Sequence, residues 1–464
     1  MKGENMDVDM IQHDHPIIQK ALKKFYEDKI PETIAKSLPL LEAYSKEYFY
    51  PQLFANVEVL FIQHHLGPFI PKLKTMFQYG LEPSRCWFVD IPYSTNASVC
   101  KELKKLGCPE IQMAEPLNDP IAPYSKRQLE RVEFILRLYS NRERRKKLLV
   151  IDDGAYFMRT LNWLLPRDKE LVLSYKEHPT HIVEQTTRGH RYLEQQQVNR
   201  LLKLLHIPAV SIARTETKYD LESPFIGAAV SRAVKRALKE SGRLKKGLGR
   251  VLIIGFGAVG KATAYELMSL KTEKPMHVYD KKWKELQPMI EKIGARTLKA
   301  FPNEGPYDTI FGCTGYASFP LTKVGILSHD AILVSGSSAA IEFNREKFID
   351  LAYRNDKDDF FIIEPEKSRR LGIHASLDMQ KGDIRFSFLN AGFPVNFDGR
   401  MECLPYLIIQ ITHGLLLAAA KESLNPATRP GFHNLNHQDD QWFKEQGLRW
   451  IDRYGKDDVE GLEI

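Results

Sequence analysis

Gly249-Arg-Val-Leu-Ile-Ile-Gly-Phe-Gly-Ala-Val-Gly-Lys261 is the stretch that decides the fold. Val251 to Ile254 are four apolar residues in a row, as in a buried strand. They run into Gly255-x-Gly257-x-x-Gly260 just before a helical pattern that starts near Ala258. Each glycine has a separate task in a dinucleotide fingerprint. Gly255 permits the tight strand-to-helix turn, Gly257 lets the backbone approach a pyrophosphate, and Gly260 lets the helix pack close to the strand. A second strand, Met276 to Tyr279, ends in Asp280, about 20 residues past the last glycine, the position of a ribose-binding acid. Lys281 and Lys282 follow it, but the acid would repel a 2′-phosphate, so NAD is expected rather than NADP.

Outward from that stretch, strands and helices alternate in both directions. Upstream, the expected strands are Val57 to Ile62, Cys86 to Asp90, Leu148 to Ile151 and Ala209 to Ala213, with helices from about Phe69, near Ala97 to Leu106, over Lys126 to Arg145 and over Pro224 to Lys239. Such alternation predicts parallel sheets with helices on their faces. Downstream, strands are expected at Thr309 to Gly312, Ala331 to Val334 and Arg385 to Leu389. The first 50 residues read as amphipathic helices, the second one over Thr33 to Tyr48. The fold class is therefore α/β, with a Rossmann-type NAD-binding domain inserted into a second α/β domain. The expected divisions are a helical extension over 1–55, a substrate-type domain over 56–240, the NAD-binding domain over 241–385, and a segment over 386–464 that returns to the substrate domain.

The 464 residues suffice for two or three domains, and 43% hydrophobic with 27% charged residues is ordinary for a soluble chain. A net charge of +7 invites an acidic partner, but the basic runs Arg142 to Lys147 and Lys235 to Lys246 lack interleaved aromatics and precede strands. They read as solvated helix ends, not as a nucleic-acid surface. Five cysteines without a CxxC pair or zinc spacing argue against a disulfide framework or a metal site and fit a reducing cytoplasm. The histidines at 13, 15, 64 and 65 lack a third ligand at suitable spacing. Leu404 to Ala420 is the most apolar run; Gln410 and His413 interrupt it, so it reads as a buried helix and not a membrane span.

Polar residues gather where strands end: His64-His65, Asp152-Asp153-Gly154, Glu184-x-Thr186-Thr187 and Thr215-Glu-Thr-Lys218-Tyr-Asp220. In an open α/β sheet that edge is where ligands bind. With GFGAVGK, Cys313-Thr314-Gly315, Asp330 to Glu342, Val395-Asn396 and Ser94-Thr95-Asn96, the order of motifs over roughly residues 56 to 420 resembles the S-adenosylhomocysteine hydrolase (adenosylhomocysteinase) family. The resemblance implies a tightly held NAD that oxidises a ribose hydroxyl, an elimination or hydration, and re-reduction within one turnover. It places cofactor contacts at Thr186, Thr187, Gly255, Gly257, Ala258, Val259, Gly260, Asp280, Thr314, Gly315 and Asn396. It places substrate and proton-transfer roles at His64, Asp153, Glu184, Lys218 and Asp220.

The substrate side departs from the family pattern. The family's catalytic lysine, two residues before Lys218, is Glu216; its histidines fall on Ser338 and Cys403; its adenine-binding loop is Gln63 to Pro68, without the hydroxyl and carboxylate that greet adenine. Glu216 could still serve as a base if its neighbours raise its pKa. Lys444 and Tyr454 stand at the wrong spacing to match the family's C-terminal lysine and tyrosine, which reach a neighbouring subunit, so a homo-oligomer is less firmly implied. The expectation is an NAD-dependent enzyme of altered specificity for a nucleoside- or sugar-like secondary alcohol. Two other readings stay open: a catalytically degenerate member that regulates a partner, and a simple NAD-dependent dehydrogenase.

Overall fold

The computed structural model describes residues 13–29, 31–115, 123–141, 146–240, 247–268, 275–337, 340–354, 360–362, 376–397 and 399–458. Ser338, Arg142 to Arg145 and residues 241–246 of the basic run ending at Lys246 lie outside them.

In chain order the strands are β1 (Val57–Gln63), β2 (Cys86–Asp90), β3 (Lys147–Asp152), β4 (Thr180–Glu184), β5 (Pro208–Ser211), β6 (Val251–Ile254) and β7 (His277–Tyr279). There follow β8 (Arg296–Leu298), β9 (Tyr307–Gly312), β10 (Leu327–Ser335), β11 (Phe360–Ile362), β12 (Leu377–Lys381), β13 (Ile384–Phe388) and β14 (Gly431–Asn434). They build two sheets, and the molecule is mixed α/β. One sheet is wholly parallel in the order β14-β5-β4-β3-β1-β2. The other is mixed, in the order β11-β12-β13-β10-β9-β6-β7-β8, with only the β11-β12-β13 end antiparallel.

The chain divides into two compact units. Unit 1 comprises Met1–Pro116, Gln128–Glu222 and Leu404–Ile464; unit 2 comprises Leu117–Arg127 and Ser223–Cys403. These divisions differ from the expected ones in three ways, each with a visible cause. The opening helix Pro16–Glu27 buries Ile18, Ala21, Leu22 and Phe25 and packs against the C-terminal helix His437–Gly455, so it is part of unit 1 and not an extension. The helix Ser223–Glu240 packs on Ala258–Met268, where Gly227 leaves no room for a Cβ against Ala262, so it belongs with the glycine loop. Residues past 385 stay in unit 2 because β13 pairs with β10 and Val395 N–H donates to the Ser335 carbonyl.

The core of unit 1 lies around the helix Tyr406–Leu424, which is apolar all round and packs against Pro39–Tyr48, β4, β5 and the C-terminal helix. By length and composition it could cross a membrane; 78% of its apolar window is buried inside the protein. Two of its polar side chains are satisfied within unit 1: Gln410 accepts from Leu40 N–H at 2.9 Å, and Thr412 donates to Glu222 at 2.6 Å. The second N-terminal helix starts at Pro39 and not at Thr33, because proline fits the first helical position while the residue before it is driven to extended backbone.

Candidate functional site

The carboxyl ends of β1, β3 and β4 bring four of the expected groups together in unit 1. After β3 the chain turns through Gly154 at φ +116° and Ala155 at φ +55°, two successive left-handed residues. Ala155 is strained there, and such strain persists only where neighbours hold it. Glu184, at the end of β4, does the holding. Its carboxylate accepts the N–H groups of Gly154 (3.0 Å), Ala155 (2.8 Å) and Thr186 (2.7 Å) and the Thr186 hydroxyl (2.7 Å). Gly189 is obligatory beneath it, since a Cβ would lie 2.1 Å from the carboxyl carbon. Asp152 similarly accepts from Tyr156 and Phe157 N–H. Burial pushes Asp152 and Glu184 both upward, helped by the charge of Asp153 on Asp152 and by that of Asp152 on Glu184. Sequence reasoning gave Glu184 a ligand role; all four of its bonds are internal. Thr186 caps the helix Thr187–Leu193 through Gly189 N–H, and Thr187 is exposed.

The turn aims Asp153 at His64. The His64 Nε2 to Asp153 Oδ2 distance is 3.1 Å, and His64 Nδ1 lies 2.5 Å from the Ser94 hydroxyl. Ser94 also donates to the Ile91 carbonyl at 3.0 Å, so its oxygen accepts from Nδ1–H. The His64 and Asp153 side chains are close enough for charge pairing, but the contact does not have hydrogen-bond geometry, and Asp153 Oδ2 is left without a hydrogen-bond partner among the described residues. Of the two adjacent histidines, His64 is thus the one at the site. His65 packs among Phe69 and Phe88, and burial together with nearby Arg131, Lys72 and His64 lowers it to about 3.

The segment Glu216 to Asp220 is fastened by the C-terminal helix. Asp440 accepts from the N–H groups of Glu216 (2.9 Å) and Thr217 (3.2 Å) and from the Thr217 hydroxyl (2.6 Å). One helical turn later, Lys444 Nζ lies 2.8 Å from Glu216 and 3.0 Å from Asp220. Burial works against the ammonium, but the two carboxylates prevail and raise its pKa. The bond from Lys444, with its charge, pulls Glu216 below the usual carboxylate range. The expectation of a base made by raising Glu216 meets the opposite shift. Lys444, set aside on spacing, brings an ammonium to both Glu216 and Asp220. Tyr454 is elsewhere, donating to Asp28 at 2.8 Å.

Lys218 pairs with Glu222 at 3.2 Å and reaches the Gln185 carbonyl at 3.4 Å. Around it stand groups the sequence reading missed. Lys72 is fully buried, donates to Gln63 Oε1, and lies over the rings of Phe69 (4.5 Å) and Phe61 (5.5 Å). Burial brings its pKa down to about 7. Gln63 Nε2 in turn donates to Gln185 Oε1 at 2.8 Å. His413, on the buried central helix, has no partner for Nδ1; burial, then Lys72, Lys218 and His64, hold it well below its ordinary value. The signal for Lys72 was available: it falls on the face of Phe69, Leu73 and Met76, a charge within a buried stripe.

In unit 2 the three glycines differ as their tasks require. Gly255 has φ +92°, and a Cβ there would meet Cys313 backbone at 2.9 Å. Gly257 has nothing within 4 Å of a Cβ, and Gly260 would place one 2.0 Å from the Gly255 carbonyl oxygen. Ala258 and Val259 open the helix Ala258–Met268 and are part exposed. Asp280 accepts from Phe256 N–H (2.8 Å) and Lys282 N–H (2.8 Å), which fixes its carboxylate beside the loop. Thr314 and Gly315 are both tied to Glu342, a buried carboxylate that also receives Ser318 and Ser337. Asn396 is buried with Nδ2 3.5 Å from the Cys403 sulfur, and Cys403 is a core side chain.

No protein-family profile matches the chain. It is similar to two uncharacterized proteins of Mycobacterium tuberculosis, Rv0104 of strain H37Rv and MT0113 of strain CDC 1551. Each is 25% identical over 359 residues, 75% of this chain. The chain spans about 60% of the length of these curated relatives.

Proposed function

We propose that the chain is a divergent relative of the adenosylhomocysteinase family, with a Rossmann-type NAD-binding domain in unit 2 and a site for a nucleoside- or sugar-like secondary alcohol in unit 1. The observation that carries this reading is the glycine loop: a left-handed Gly255, open space at Gly257 and contact at Gly260 match the three tasks of a dinucleotide loop. Counted from β6, the strands run third, second, first, fourth, fifth, then β13, the order of doubly wound dinucleotide domains, with the loop where the order reverses. The residues fit the cofactor: the N-terminus of Ala258–Met268 suits a pyrophosphate and Asp280 a ribose diol. When bound, NAD supplies a reversible hydride acceptor for a secondary alcohol.

The chain's own residues divide the remaining work. His64, with Asp153 beside it, would carry a proton to or from the ligand, Lys218 and Asp220 offer a donor and an acceptor to hydroxyls, and Lys444 keeps Glu216 from acting as a strong base. Altered specificity follows from the lost adenine loop. The polar edge of unit 1 supports a small polar ligand, with no nucleic acid or membrane partner, in a cytoplasmic protein.

The test is direct. The full chain is purified and denatured, and released nicotinamide is measured; about one per chain is expected. Intact protein is then screened with nucleosides and sugars for the near-ultraviolet absorbance of reduced nicotinamide. No nicotinamide and no reduction would overturn the enzyme reading. Bound NAD that no alcohol reduces would favour a ligand-binding regulator of a partner, and reduced cofactor released on every cycle would favour a simple dehydrogenase.

A further inference from the structure

The hydrogen-bond chain Lys72–Gln63–Gln185 has a direction. Below about pH 7, where Lys72 carries its proton, it donates and cannot accept, so it settles which end of the Gln63 amide faces it: the oxygen. The Gln63 nitrogen must then face Gln185, whose oxygen accepts it at 2.8 Å. That leaves the Gln185 nitrogen as the outward end. An amide is ordinarily ambiguous as to which end is which; here a group that only donates fixes two amides in series. Gln63 and Lys72 are buried, while Gln185 is part exposed and its Nε2 has no partner among the described residues. Beside it the Gln185 carbonyl accepts from Lys218. His413, influenced by the same Lys72 and Lys218, keeps a second polar atom without a partner, which argues that this edge of unit 1 is completed by something other than its own side chains.

We propose that Gln185 is a fixed hydrogen-bond donor of the ligand site in unit 1, and that the ligand presents an acceptor to it, a carbonyl oxygen of a nucleoside- or sugar-like molecule. This rests on the reading of unit 1 as a ligand site and narrows what that ligand is. Gln63 and Lys72 do not touch the ligand; they are positioning residues. A ligand group that must donate, such as an exocyclic amine, would face the Gln185 amino group and leave both donors unsatisfied, which disfavours it.

The experiment, run at pH 6, uses matched probes that exchange an exocyclic amine for a carbonyl oxygen at one ring position: adenosine against inosine, and cytidine against uridine. Affinities are measured by calorimetry on the full chain. The wild type is expected to prefer inosine and uridine by about tenfold, the factor one neutral hydrogen bond gives. Gln185→Glu, which can only accept, should reverse the preference. Lys72→Met removes the direction from the chain, so both amides can turn over and the preference should fall to about one while the circular dichroism spectrum is unchanged. A wild-type preference for adenosine and cytidine, a ratio unmoved by Lys72→Met in folded protein, or no binding of any of the four overturns the proposal. Nicotinamide release is measured on the same preparation, so failure here with one NAD per chain leaves the cofactor reading standing.

Discussion

At the scale of single residues, two lysines distinguish the site. Lys72 titrates at about 7 when folded and near its ordinary 10.5 when unfolded. Between those values the unfolded chain binds more protons, so stability rises with pH across that window, and the penalty is complete below about pH 7. Lys72→Met removes it. The variant should gain stability at pH 6 and gain little near pH 10; an ideal gain of about 2–5 kcal/mol is reduced by the unsatisfied Gln63 oxygen. Urea unfolding at several pH values checks this, and a wild-type slope that survives the substitution refutes it. Lys444 behaves differently, because it is the cation that separates two carboxylates. Lys444→Ala should cost about 1–3 kcal/mol, more than Glu216→Gln, whose side chain is half exposed and loses less. Glu216→Lys would set two ammonium groups together, so it should destabilise the chain rather than recreate a family lysine; equal melting temperatures for the three variants would contradict the geometry. Neither lysine was readable as part of the site. Lys444 is 228 residues from Glu216 in sequence, and Lys72 lay in plain view on an apolar face.

At the scale of elements, the glycine loop separates stability from binding. Gly260→Ala drives a methyl group into the Gly255 carbonyl and should destabilise unit 2 by more than about 2 kcal/mol. Gly257→Ala enters open space at an ordinary φ and should leave stability within about 0.5 kcal/mol, while released nicotinamide falls sharply if a pyrophosphate lies there. Thermal melts and nicotinamide assays on both variants give the contrast. Elements of this kind were legible because their cause is local: a run of four apolar residues, three glycines at fixed spacing, an acid after the next strand. The Asp152-Asp153-Gly154 turn was legible as a position but not as a device. That Glu184 would hold the turn, leaving Gln185 to face outward, depends on which way each side chain leaves the end of β4, and the strand end does not announce that in its sequence.

At the scale of the whole molecule, unit 1 is assembled from three stretches of chain, and the last supplies β14, the buried helix Tyr406–Leu424 and the helix bearing Asp440 and Lys444. A chain stopped after Leu424 keeps the buried helix but loses the sheet edge and the cover over Pro16–Glu27. It should bind a hydrophobic dye and melt without a sharp transition for unit 1, whereas the full chain should melt cooperatively. The insertion of one α/β unit within another was evident from the order of motifs. The exact divisions were not, because membership is decided by which strand pairs with β10 and which helix packs on Ala258–Met268, contacts made far along the chain. The late arrival of β14 bears on synthesis. Its partner β5 emerges from the ribosome about 220 residues earlier, roughly 10–40 s at ordinary elongation rates. During that interval the edge of β5 is open and Glu216 and Asp220 await their counter-ion, so the nascent protein has a window in which a chaperone or a foreign strand competes for the place that β14 finally takes.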